Sequence, residues 1–86
     1  MSLHQLRYFV TVAEEGTLRA ASERLHVAQP PLSRHIRALE EELGVELFER
    51  RPRGMRLLPA GRRFLAEVRT VLAALDHAVV SVRQPP

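Results

Sequence analysis

The 86-residue chain has no cysteine, no tryptophan and no lysine, and it holds a single tyrosine and a single aspartate, Asp76. Without cysteine, no disulfide can reinforce the fold and no thiolate can hold a metal. The histidines, His4, His26, His35 and His77, lack metal-ligand spacing, and no phosphate-binding loop or nucleophile motif occurs. The glutamates fall on faces that read as solvated, so no acid–base pair stands out. The chain is therefore expected to be neither an enzyme nor a cofactor carrier. No apolar run approaches the roughly 18 residues of a membrane span. The start MSLHQLRYF also lacks the charged opening and apolar stretch of a signal peptide. These absences lead to the expectation of a soluble, cytoplasmic chain forming one small domain of marginal core size.

Because every one of the 13 basic residues is arginine, few groups titrate above neutral pH. The net charge of +3 consequently persists to very high pH, and the pI of 11.0 overstates how basic the surface is. Distribution is more informative. Residues 40–49 carry five acids and no base, whereas residues 50–63 carry six arginines and no acid. Such segregation can build a positive face for a polyanion. It fits equally well two solvated surfaces of opposite sign.

Periodicity divides the chain into four helices and a hairpin. Leu3, Leu6, Phe9, Val10 and Ala13 lie at helical spacing, and Gly16 ends that helix. Thr17 can cap a second helix that buries Leu18, Ala21 and Leu25, and His26 to Gln29 form a short turn. A third helix over about 30–43 puts Leu32, Ile36, Leu39 and Leu43 in one stripe, with Ser33, Arg34 and Arg37 on another face. Pro30 and Pro31 suit its first turn, where backbone N–H groups have no intrahelical acceptor. VELFER and MRLL then read as two short strands around a basic tip, Arg51-Pro52-Arg53-Gly54. A last helix runs from Pro59 to about Arg83, and Leu65, Val68, Leu72, Leu75, Val79 and Val82 alternate spacings of three and four. That alternation is a coiled-coil seam, too long for so small a domain to cover, and it predicts a partner helix.

Helix, short turn and a second helix with a polar N-terminal face form a helix-turn-helix, in which that second helix reaches base edges. Arg34 suits guanine, Gln29 adenine, and Ser33 either a base or a phosphate, while the Pro30–Pro31 ridge can touch thymine methyl groups. The hairpin reads as a wing whose arginines suit a narrow minor groove or flanking phosphates. The rival is a protein-docking module whose arginines are ordinary surface groups.

The stretch LRYFVTVAEEGTLRAASERLHVAQPPLSRHIRALEEELGVELFERRPRGMRLLPAG strongly resembles the N-terminal domain of LysR-type transcriptional regulators, from Leu3 to Gly61. The resemblance implies a mainly α winged helix-turn-helix over 1–58, with three helices and a two-stranded wing, followed by a dimerising linker helix over 59–86. It implies base contacts from Gln29, Pro30, Ser33 and Arg34, and Arg53 at the minor groove. Thr17 is implied to meet a phosphate, with Arg37 and Arg50 as further backbone contacts. It implies a homodimer whose seam residues, Leu65 to Val82, pair antiparallel and set two recognition helices on one interrupted palindrome of double-stranded operator DNA. Family members usually carry a C-terminal domain for a small-molecule effector, which is absent from this chain. Three residues depart from the family pattern. Leu18 replaces a common aromatic, while Ala28 and Leu58 replace hydroxyl residues that would cap the two helices that follow.

Overall fold

A computed structural model describes residues 1–85. The chain forms helices α1 (Leu3–Glu15), α2 (Leu18–Leu25) and α3 (Gln29–Leu43), strands β1 (Phe48–Arg51) and β2 (Gly54–Leu57), and helix α4 (Pro59–Arg83). This is a winged helix-turn-helix with a long appended helix. The two strands pair antiparallel, Phe48 opposite Leu57 and Arg51 opposite Gly54.

Local chemistry sets most of the helix ends. The Ser2 side chain accepts the Gln5 N–H at the start of α1, and the Thr17 side chain accepts the Ala20 N–H at the start of α2. Ala28 and Leu58 supply extended backbone at the starts of α3 and α4 but no capping side chain, and proline opens each helix instead. α3 begins at Gln29, one residue earlier than the sequence predicts. Its first backbone bond runs from Leu32 N–H to Ala28 O (3.3 Å), so Pro30 and Pro31 occupy a turn in which no amide donor is needed. Gly16 and Gly44 close α1 and α3 in the left-handed conformation, as does His26 after α2.

Phe9, Val12, Ala21, Leu32, Ile36 and Leu39 are fully buried, with Leu47, Phe48, Leu65 and Val68 close behind. The Phe9 ring is the hub, with Phe48 of the wing 5.5 Å away and Phe64 of α4 5.3 Å away. One side chain thus joins the first helix, the hairpin and the last helix. Leu18 and Leu25, expected to be buried, are only half-buried beside Ala21. α2 is two turns long and offers the core a narrow stripe.

An ion-pair cluster fastens the rim. The Glu14 carboxylate accepts from Arg24 (2.8 Å) and Arg69 (3.0 Å), which joins α1, α2 and α4. Hydrogen bonds from these two guanidiniums, Arg24 first, hold the Glu14 carboxyl below its ordinary value of 4.5. The native state thus binds a proton at Glu14 less readily than the unfolded chain. The stabilisation is complete above about pH 4.5 and disappears as the pH falls through the lowered native value. Because the cluster is well solvated, its contribution is small. Urea unfolding of Glu14→Gln beside wild type should show a gap that is constant near neutrality and closes in acid. A gap that widens in acid would contradict this sign.

Candidate nucleic-acid interface

The N-termini of α2 and α3 and the wing tip border one open cleft of about 520 Å³, lined by Thr17, Arg19, Gln29, Arg51, Pro52 and Arg53 among others. The turn of His26, Val27 and Ala28 between α2 and α3 brings these two positive helix ends to the same side. Gln29, Pro30, Arg34 and Arg37 are exposed along the start of α3, whereas Pro31 and Ser33 are half-buried. On its opposite face the same helix buries Leu32, Ile36 and Leu39 completely. Packing the stripe therefore forces the polar residues outward.

The wing is fixed rather than free. The Met55 N–H donates to Gly16 O (2.8 Å), tying β2 to the corner between α1 and α2. A Cβ on Gly54 would stand 2.8 Å from that same oxygen, so the approach requires glycine at this position. Pro52 and Arg53 form the two-residue turn, and neither has a positive φ. Arg53 is exposed at its tip.

Pairing sorts the arginines in a way that composition cannot. Arg7, Arg19, Arg24, Arg50, Arg51 and Arg69 each meet a carboxylate. Among the described residues, Arg34, Arg37, Arg53 and Arg56 belong to no ion pair. Arg62, Arg63 and Arg83 of α4 are likewise in no ion pair, so the unneutralised charge lies on the exposed face of α3, on the wing and on α4. Arg50, expected on a phosphate, is instead drawn inward. Its Nη2 donates to Glu40 Oε1 (3.3 Å) and its Nη1 to Ser33 Oγ (3.4 Å). Glu40 had no visible role in the sequence, where it stands beside Glu41 and Glu42. Arg19 at the cleft likewise had no visible role in the sequence, whereas Arg51 already stood in the basic wing tip.

The predicted seam on α4 divides. Leu65 and Val68 are buried in the chain's own core (9% and 3% exposed), and Leu72 packs against it. This corrects the first part of the seam, because residues buried in the chain's own core have little surface left to offer a partner. Leu75 and Val79 are half-buried and Val82 is 82% exposed. Val71 and Val80 are also exposed, so the uncovered apolar surface is broader than the predicted line. Val71, Leu75, Ala78 and Val82 recur at i, i+4, i+7 and i+11, forming a stripe that continues where the core contacts end. No helix among the described residues is long and apolar enough to cross a membrane.

Residues 3–62 match the family of bacterial regulatory helix-turn-helix proteins called lysR. The chain is 56% identical to the HTH-type transcriptional regulator ClcR of Pseudomonas putida over 83 residues, covering 96% of this chain and 28% of that protein. It is 44% identical to the regulator BsdA of Bacillus subtilis over 85 residues, covering 98% of this chain and 29% of that protein. The chain thus spans a little over a quarter of the length of these curated relatives. Among solved structures it resembles the CbnR DNA-binding domain in complex with DNA, with TM-score 0.93, 46% identity, and 96% of this chain and 95% of that one covered. It also resembles the BenM DNA-binding domain bound to benA site 1 DNA, with TM-score 0.92, 43% identity and 96% of each chain covered. With the match running from α1 into α4, the chain belongs to the LysR family of bacterial helix-turn-helix transcriptional regulators.

Proposed function

We propose that this chain is the operator-reading part of a bacterial transcriptional regulator, binding double-stranded DNA sequence-specifically and carrying no catalytic activity. The observation that carries this reading is the start of α3, where exposed Gln29 and Arg34 and half-buried Ser33 stand beside a wing whose Arg53 and Arg56 have no acidic partner, while Arg50 and Arg51 are paired. α3 enters the major groove, with Arg34 bidentate to guanine and Gln29 to adenine, and the Pro30–Pro31 ridge against thymine methyl groups. Arg53 serves the adjacent minor groove, while Thr17 and Arg37 meet phosphates. The DNA complexes of the CbnR and BenM domains support this placement by analogy.

Two copies pair through antiparallel α4 helices and place two recognition helices on an interrupted palindrome. Residues 1–58 read DNA, and 59–86 join the protomers. Within α4 we assign the contact to Leu75, Val79 and Val82, with Val71 beside them. A small-molecule effector acts only through a C-terminal domain outside this chain. The site of action is the cytoplasm, at the nucleoid.

The test is binding to a duplex selected from random DNA, at several salt concentrations, beside Arg34→Ala and Leu75→Glu. Wild type should bind selectively, with a steep salt dependence and two subunits per duplex. Arg34→Ala should lose about 1–3 kcal/mol and relax selectivity at one base pair. Leu75→Glu should sediment as a folded monomer. Weak binding that is indifferent to sequence and to Arg34 would favour a protein-docking module instead.

A further inference from the structure

Arg50 holds an unusual position for a cation so near the reading helix. It projects from β1 but is only 28% exposed, and its partner Glu40 on α3 is 11% exposed. The second oxygen of Glu40 accepts the Leu47 N–H (2.7 Å) and the Phe48 N–H (3.3 Å). The carboxylate is thereby anchored to the start of the wing. It anchors Arg50 in turn at 3.3 Å, which leaves Nη1 directed at Ser33 Oγ (3.4 Å), with Met55 Sδ 3.9 Å away.

The Ser33 hydroxyl differs from three others on the helices. Thr11, Ser22 and Thr70 donate back to carbonyls of their own helices, Arg7 O, Arg19 O and Ala66 O. Among the described residues, Ser33 takes part only as an acceptor, from Arg50. A serine hydroxyl offers one proton and two lone pairs. A cation donating to that oxygen occupies one lone pair, repels the proton from its own side and strengthens the hydroxyl as a donor.

We propose that Arg50 is a positioning residue for sequence reading, which orients the Ser33 hydroxyl as a hydrogen-bond donor toward DNA. The inference rests on the DNA-reading function proposed above. A donor at this place selects acceptors. In the major groove these are purine N7, guanine O6 and thymine O4, and it disfavours the amino groups of adenine and cytosine. A phosphate oxygen is the other acceptor of the same chemistry. On this reading Arg50 contributes to selectivity without touching a base.

The experiment uses the selected duplex with single acceptor deletions. Purines beneath the start of α3 are replaced by 7-deaza analogues, and in a second series individual phosphates by methylphosphonates. Each duplex is titrated with wild type, Ser33→Ala, Arg50→Gln and the double variant. We expect one deletion to weaken wild type about tenfold. Ser33→Ala and Arg50→Gln should each become insensitive to that same deletion, and the double variant should be no worse than either. A base deletion assigns the donor to sequence reading, whereas a phosphate deletion overturns the selectivity claim. Full sensitivity retained by Arg50→Gln would show that Ser33 does not need Arg50. A uniform loss by Arg50→Gln on selected and random DNA alike, with a shallower salt slope, would make Arg50 a plain phosphate contact and overturn the proposal. If Arg50→Gln does not fold, Arg50→Lys carries the same comparison, because its point charge can hold Glu40 but lacks the fork that also reaches Ser33. Wild type that cannot tell selected from random DNA would sink the DNA-reading function itself, and this inference with it.

Discussion

Gly61→Ala is expected to lower stability by about 3 kcal/mol, in the range of severe overpacking, and to lower the melting temperature by roughly 15 °C for a domain of this size. Glycine inside a helix ordinarily costs up to about 1 kcal/mol relative to alanine, so propensity alone predicts a gain. Sterics reverse the sign. A Cβ at Gly61 would overlap the Leu47 carbonyl oxygen and stand 2.8 Å from Leu57 Cδ2. The Leu47 carbonyl cannot yield easily, because it accepts the Leu58 N–H at 2.9 Å. The methyl must therefore push α4 away from β1, and α4 carries Phe64, Leu65 and Val68 into the core. Thermal unfolding followed by circular dichroism measures the effect. A variant as stable as wild type would mean that α4 does not seat on the wing as described.

Glu40→Ala should be comparably damaging, at about 3 kcal/mol, because removing the carboxylate of this part-buried pair strands a cation and two backbone donors together. Three donors lose their acceptor at once: the backbone N–H groups of Leu47 and Phe48 and the Arg50 guanidinium. Leu47 and Phe48 are almost fully buried, so water cannot readily replace the carboxylate. Glu40→Gln retains an oxygen for the amides and loses only the charge, so it should cost less than half as much. Urea unfolding of both variants checks the order. Hydrogen exchange at the Leu47 and Phe48 amides should accelerate in Glu40→Ala well beyond the global change. If both variants lie within about 0.5 kcal/mol of wild type, as ordinary surface substitutions do, Glu40 is not the anchor of the wing.

Both predictions concern the same junction, where the end of α3, the first strand and the start of α4 meet behind the reading face. The junction fixes where the wing stands relative to α3. The wing is held again at its far side, where the Met55 N–H reaches Gly16 O. With both attachments in place, Arg53 and the start of α3 are presented as one rigid surface. Such preorganisation limits the ordering cost of binding a duplex.

The helices and strands were legible from the order of residues alone. Local signals were sufficient where each depended on neighbours within one or two turns: the capping Thr17, the left-handed Gly16 and Gly44, the proline openings, and the apolar stripe Leu32, Ile36 and Leu39. The family was legible for the same reason, since its motif is a run of such local choices. Which of three consecutive glutamates turns inward depends on the fold, because Glu40 is distinguished from Glu41 and Glu42 by partners at positions 47 to 50. The fold also decided that Arg50 is half-buried and paired while Arg34 is exposed and unpaired, a difference that charge counting cannot register. The α4 seam shows the limit most clearly. Its spacing is uniform from Leu65 to Val82, yet Leu65 and Val68 are buried in the core and Val82 is left exposed. A heptad records that a helix face is apolar. Which surface covers it depends on where α1 ends beneath it, and that is settled by packing between residues more than fifty positions apart, such as Glu14 and Arg69.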